Sequence, residues 1–252
     1  MQKFFVDESQ IDNSTSNITI IGQDVKHIAN VLRLNVDDEI QIGTRAVKPQ
    51  TFIVKIREIN RETIICSIIE EVEKSSESNI LLTIFQGIPK SDKMELIIQK
   101  GTELGVNCFV PIELNRCVVK LNEKDIDKKM KRWEMIAESA AKQSGRDVIP
   151  KIEYKINIKE LCNKISDYDC VLVAYEQEEK IQLKQLLNDN KSINKIAIVV
   201  GPEGGFEKEE IDILKKNGAK VISLGNRILR TETAPIVLSS IIMYELGDIG
   251  GK

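Results

Sequence analysis

The apolar period of the chain changes near residue 70, and that change decides the fold class. Before it, five β-branched, partly alternating runs come at short intervals: FFV (4–6), NITIIG (17–22), EIQIG (39–43), TFIVKIREI (51–59) and TIICSII (63–69). Polar or turn residues separate them, as between strands. One helix is predicted from DVKHIANVLRL (24–34), where Val25, Ile28, Val31 and Leu32 recur at helical spacing. Short strands with a single helix predict a small closed or half-closed barrel. The polar stretch EEVEKSSESN (70–79) reads as a linker and divides the chain into 1–72 and 73–252.

Beyond the linker, strand and helix alternate. ILLTIFQGI (80–88), CFVPIEL (108–114), CVLVAYE (170–176), KIAIVVG (195–201) and AKVISLG (219–225) read as strands. Helices are predicted at about 91–104, 123–144 and 159–165 from the spacing of their apolar residues. PIVLSSIIMYEL (235–246) is apolar on most faces and is predicted to be a buried helix. This alternation predicts an α/β fold with a mostly parallel sheet covered on both sides.

Composition narrows the chemistry. Lys and Arg number 36 against 39 Asp and Glu, net −3, which excludes a uniformly basic nucleic-acid coat but leaves room for a local patch. Residues 86–151 carry 13 basic and 10 acidic side chains; KKMKRWE (128–134) within them is either a solvated helix face or a surface for a polyanion. No run approaches ~18 apolar residues, so no membrane helix is expected. MQKFFVDESQ turns polar too soon for a secretory signal. Five scattered cysteines without a CxxC pair predict reduced thiols in the cytoplasm. With one histidine, no metal centre is expected. Chemistry falls to carboxylates, guanidinium groups and backbone amides.

Two segments follow predicted strands at their carboxyl ends, where open α/β sheets bind ligands. In VVGPEGGF (199–206), Gly201, Gly204 and Gly205 permit turns that a Cβ would block, and Glu207, Glu209 and Glu210 fall in the first turn of a helix. The segment is neither a Walker A loop nor GxGxxG, and a tight strand-to-helix turn also accounts for it. In LGNRILRTETAP (224–235), Thr231 or Thr233 is placed to cap a helix opened by Pro235. Capping leaves Arg227, Arg230 and Glu232 unexplained, because charges between two apolar elements are costly unless paired or used. An Arg230–Glu232 ion pair is the structural alternative.

GPEGGF followed by LGNRILRTETA resembles the signature of the bacterial 16S ribosomal RNA uridine-N(3) methyltransferases, the RsmE-type branch of the SPOUT superfamily. KSDKMELIIQKGTELGV (90–106), ESAAKQSGR with its following proline (138–150) and HIANVLRL (27–34) resemble further blocks of that family in the same order. The chain departs from the family pattern at Lys3, where arginine is usual, and at Lys142, where glutamate commonly precedes Gln-Ser. It departs again at GTRAVKPQTF (43–52), which replaces a Gly/Asp-rich hairpin.

The resemblance implies a PUA-like, RNA-binding β-barrel over 1–72 and a SPOUT methyltransferase domain over 73–252, with a C-terminal trefoil knot. It implies S-adenosyl-L-methionine as cofactor, held by Val200, Gly201, Gly205, Leu224, Gly225, Ile228 and Leu229, with Ala234 beside the slot. The reaction implied is methylation of ring nitrogen 3 of a uridine in 16S rRNA of the small ribosomal subunit. Arg230 and Glu232 would be catalytic, with Glu232 as base or proton relay and Arg230 stabilising a uracil oxyanion, or with Glu232 only orienting Arg230. Nitrogen 3 lies on the Watson–Crick edge, so the target nucleotide must be unpaired or splayed out. RNA contacts are then expected at Lys90, Lys93 and Arg146 and, from the small domain, at His27 and Arg33. A cytoplasmic homodimer is implied as well. Two rivals are a methyltransferase of the same fold acting on tRNA or another rRNA position, and an RNA-binding module that has lost methylation.

Overall fold

The computed structural model describes residues 1–46, 48–176, 183–188 and 193–251. The chain forms two compact units, Met1–Glu77 with Ala141–Ile149, and Ser78–Ala140 with Pro150–Lys252.

The first unit holds β1 (Lys3–Val6), β2 (Ile11–Asp12), β3 (Asn17–Ile21), β4 (Glu39–Thr44), β5 (Thr51–Ile59) and β6 (Thr63–Glu71) in one curled sheet of order β1-β4-β5-β6-β3-β2. All pairs are antiparallel except β1 with β4. Period-2 alternation sends Ile18 and Ile20, Ile40 and Ile42, Val54 and Ile56, and Ile64 and Cys66 to one fully buried cluster. Register shifts in β5 at Ile53/Val54 and Ile56/Glu58 increase local twist and help the sheet curl.

The predicted helix is only partly an α-helix. The first turn, α1 (Gln23–Lys26), runs directly into a π-helix at His27–Leu32. The wider π turn breaks the 3.6 spacing, so Val31 stands 67% exposed while Val25 and Ile28 remain buried.

The expected linker is pinned instead. Asp147 accepts hydrogen bonds from the Lys3 ammonium, the Thr51 hydroxyl (2.7 Å), the Ser75 hydroxyl (3.1 Å) and the Ser76 N–H (2.6 Å). Beside it the Arg146 guanidinium pairs with Glu77. The Lys3 side chain is only 1% exposed, so this pair is sealed from solvent on the lysine side. Residues 141–149 therefore belong to the first unit and extend it beyond the boundary at 72. Two departures from the family pattern take part. Lys3 is the buried partner of Asp147, and Lys142 pairs with Asp24 at 2.8 Å and lies 5.8 Å over the Phe4 ring.

The second unit holds β7 (Leu81–Gly87), β8 (Cys108–Glu113), β9 (Lys151–Ile152), β10 (Ile156–Asn157), β11 (Cys170–Ala174), β12 (Lys195–Val200) and β13 (Lys220–Ile222). Its sheet runs β10-β8-β7-β12-β11-β13, with β9 also on β8, and every pair is parallel. The helices are α2 (Lys93–Glu103), α3 (Glu123–Ser144, of which Ala141–Ser144 belong to the first unit), α4 (Ile158–Lys164), α5 (Leu183–Asn188), α6 (Lys208–Lys216) and α7 (Thr233–Glu245). Leu82, Ile84, Phe85, Ile196, Ile198 and Leu172 are all fully buried, as continuous apolar strands covered on both faces require. In α7, Leu238, Ile242 and Met243 are fully buried, whereas Tyr244 is 66% exposed. The α/β expectation holds.

Candidate active site

A cavity of about 1350 Å³ opens at the carboxyl ends of β11, β12 and β13, within the second unit. Such crevices are where open parallel sheets place ligands. Val200, Gly201 and Gly205 line it from the turn after β12, and Leu224, Gly225, Ile228 and Leu229 from the turn after β13. Ala234 adds a buried methyl group from α7, and Arg230, Lys93 and Glu176 also line it. Every residue expected to hold the cofactor is thus on one cavity wall or another.

Two glycines carry backbone that other residues resist. Gly225 has φ +100°, and Gly205 has φ +68° with the Glu176 carboxylate 3.2 Å from where a Cβ would stand. The main-chain groups of Ile228 and Leu229 make no hydrogen bond among the described residues, which leaves donors and acceptors for a ligand on that wall.

A buried polar tie joins the two turns. Thr231 donates its hydroxyl proton to the Gly201 carbonyl at 2.7 Å, and the Gln86 amide donates to Thr231 Oγ1 at 2.9 Å and to the Gly87 carbonyl at 3.0 Å. Thr231 is therefore not a helix cap; α7 starts after Glu232, and no side chain caps it. The one signal for Gln86 in the sequence is a polar residue inside the run ILLTIFQGI. On the other side of the first turn, Arg116 makes paired bonds to Glu207 at 2.9 and 3.1 Å and a third to the Gly204 carbonyl at 3.0 Å. Glu210 accepts the Glu207 N–H at 2.8 Å and the Asn115 N–H at 2.9 Å, so these acidic residues shape the loop as well as the helix start.

The charged turn after β13 is more open than expected. Arg227 is exposed, Ile228 is 84% exposed, and the Arg230 side chain is 83% exposed. Only Glu232 is withdrawn, with its side chain 14% exposed. Its Oε1 lies 3.9 Å from Arg230 Nη1, and its Oε2 lies 3.3 Å from Lys93 Nζ without hydrogen-bond geometry. Lys93 also donates to Glu203 Oε1 at 2.8 Å, which holds the ammonium protonated above its usual range. Burial raises the Glu203 carboxyl, but the bonds from Lys93 and from main-chain N–H groups outweigh it and hold that pKa below the ordinary value.

The residues expected to meet RNA separate into three groups. Lys90 is exposed, and its N–H donates to Glu203 at 3.1 Å. In the first unit, His27 is exposed with its ring edge-on to Phe4 at 6.2 Å, and Arg33 is exposed at the end of the π-helix with φ +54°. Lys93 is the cavity residue just described. Arg146 does not fit the expectation: it is 5% exposed and spent on Glu77, because a buried guanidinium needs a carboxylate partner.

The model of the RNA methyltransferase domain family matches residues 76–243, which include every residue lining the cavity except Glu245. Ribosomal RNA small subunit methyltransferase E of Bacillus subtilis (strain 168) is 36% identical over 255 residues, covering 97% of each chain. The chain belongs to the ribosomal RNA small subunit methyltransferase E family. The Aquifex aeolicus (strain VF5) member is 33% identical over 229 residues, covering 90% of this chain and 94% of its own. Among solved structures, ribosomal RNA small subunit methyltransferase E from Neisseria gonorrhoeae, bound to S-adenosyl methionine, superposes with a TM-score of 0.86. It is 27% identical and covers 99% of each chain.

Proposed function

We propose that this member of the methyltransferase E family transfers a methyl group from S-adenosylmethionine to ring nitrogen 3 of a uridine in 16S rRNA of the small ribosomal subunit. One observation carries the reading: two glycine-bearing turns, tied through Thr231 and Gly201, enclose one cavity that also receives Arg230 and Lys93, the two cations next to the withdrawn Glu232. The cavity fits the cofactor. Gly205 and Gly225 keep its floor free of side chains, and the Ile228 and Leu229 main chain offers groups to read an adenine edge. No metal and no phosphate-binding lysine is needed for a donor without phosphates. S-adenosylmethionine supplies a methyl group made electrophilic by its sulfonium.

The chain's own residues handle the proton. Uracil nitrogen 3 carries hydrogen at neutral pH and becomes a nucleophile when that proton leaves. Glu232 accepts it, and the electron pair stays on the ring. Arg230, open to the cavity, stabilises negative charge developing on a uracil carbonyl oxygen. Lys90, His27 and Arg33 present themselves to RNA phosphates or bases.

On this reading the first unit is a PUA-like RNA-binding barrel, and the C-terminal turns with α7 form the trefoil knot of a SPOUT domain. The protein works as a cytoplasmic homodimer, with the exposed Tyr244 end of α7 available to the partner.

The test is mass mapping of methylated nucleotides after incubating hypomethylated small subunits, and separately bulk tRNA, with protein and cofactor. Methylation at nitrogen 3 of one 16S uridine is expected. Methylation of tRNA, or of a ribose oxygen, would overturn the reading.

A further inference from the structure

Lys93 is expected from sequence to meet RNA, but its surroundings suit a different task. It is the first residue of α2, and its ammonium stands between two carboxylates, Glu203 at 2.8 Å and Glu232 at 3.3 Å. Glu203 is itself held by the Lys90 N–H at 3.1 Å, so the anchor of the ammonium is fixed from the same segment. The ammonium is shared between two carboxylates, and the further cation, Arg230, stands 3.9 Å from Glu232. A phosphate that captured the ammonium would strand two carboxylates, one of them withdrawn from water.

Glu232 needs that ammonium. Its Oε2 is buried and has no hydrogen bond, and Lys93 Nζ is the cation beside it. Arg230 reaches the other oxygen only at 3.9 Å, from a side chain 83% exposed, where solvent screens the attraction. We propose that Lys93 is a positioning residue for Glu232, anchored by Glu203, and that it holds the carboxylate where the uracil N3 proton is delivered. This rests on the reading of Glu232 as proton acceptor. In the step concerned, the N3–H bond breaks, an O–H bond forms on Glu232, and the pair left on nitrogen takes up the methyl group. Lys93 keeps its own protons and remains paired with Glu203.

The charged groups facing Glu232 are Lys93 from α2, Arg230 from its own turn and, through Lys93, Glu203 from the turn after β12.

The experiment is single-turnover methyl transfer to hypomethylated small subunits by Lys93→Met, Lys93→Arg, Glu203→Gln and Glu232→Gln. S-adenosylmethionine affinity is measured by calorimetry and RNA affinity at several salt concentrations. Lys93→Met should slow transfer about 100-fold, the scale of a misplaced reacting group. Cofactor affinity, RNA affinity and salt slope should stay unchanged. Lys93→Arg should recover most of the rate. Glu203→Gln, which leaves the lysine in place, should slow transfer about tenfold and serves where Lys93→Met does not fold. A wild-type rate in both Lys93→Met and Glu203→Gln would overturn the proposal. So would a Lys93→Met defect confined to RNA affinity with a shallower salt slope, which would make Lys93 a phosphate contact. Glu232→Gln separates the two readings: a wild-type rate there removes the proton acceptor itself, whereas slow Glu232→Gln beside fast Lys93→Met removes only the positioning.

Discussion

The hydroxyl of Thr231 donates to the main-chain carbonyl of Gly201 at 2.7 Å, across 30 residues of sequence. Because Gln86 donates to the same hydroxyl oxygen, the three groups form a buried chain between β7, the turn after β12 and the turn before α7. The two walls of the cavity cannot drift apart without breaking it.

Replacing Thr231 by Val keeps the volume but removes the hydroxyl that joins them, leaving the Gln86 amide and the Gly201 carbonyl only their long 3.4 Å bond to each other in a dry site. A loss of about 1–3 kcal/mol in folding stability is expected by denaturant unfolding. Thr231→Ser should recover most of it. Cofactor affinity, measured by calorimetry, should fall with Val and return with Ser.

Gly225→Ala probes the other wall. At φ +100° a Cβ is strained whatever space surrounds it, so the turn must deform or the fold must bear the strain. The expected result is a loss of about 1 kcal/mol or more in stability together with weaker cofactor binding. An unchanged calorimetric affinity would remove this turn from the cofactor site.

Lys3 and Asp147 set an acid limit for the first unit. Burial raises the Asp147 carboxyl, but the Lys3 ammonium, the Ser76 N–H and the Thr51 hydroxyl outweigh it and hold the pKa far below the ordinary value. A carboxyl lowered on folding stabilises fully above its unfolded pKa, about 3.9, and loses that contribution as pH falls below it. Urea midpoints should therefore drop below about pH 4, and Asp147→Asn should flatten that limb. Lys3→Met, which strands a buried carboxylate, should cost about 3–5 kcal/mol. Lys3→Arg should be mild.

RNA binding should weaken steeply with salt. Lys90→Ala and Arg33→Ala should each make the log–log salt slope shallower by about one, as follows when one fewer phosphate is neutralised. Arg146→Ala should leave the slope alone and lower the unfolding midpoint, since its partner is Glu77.

Both sheets are legible in the sequence because their signals are local. Alternation at Ile18/Ile20 and Ile40/Ile42 marks strands with one buried face, and continuous runs such as KIAIVV mark strands covered twice. The π-helix is not legible, since Val25, Ile28 and Val31 fit the α period equally well. The glycine turns are legible as turns, and their residues do line one cavity. Long-range pairing is the blind spot. Nothing near Arg146 announces Glu77, and nothing near Lys93 announces Glu203 and Glu232, so both cations read as free for RNA when each already has a carboxylate. Thr231 reads as a cap for the same reason, its true acceptor lying 30 residues away.

The clasp of Lys3 by Asp147 also orders events during synthesis. The amino-terminal strands leave the ribosome long before residue 147 does, so for that interval the Lys3 ammonium has no anion to meet in the interior it must enter. Completion of the first unit is thereby deferred until more than half of the polypeptide has been made. A fragment that stops at the end of β6 would be left holding that orphaned charge.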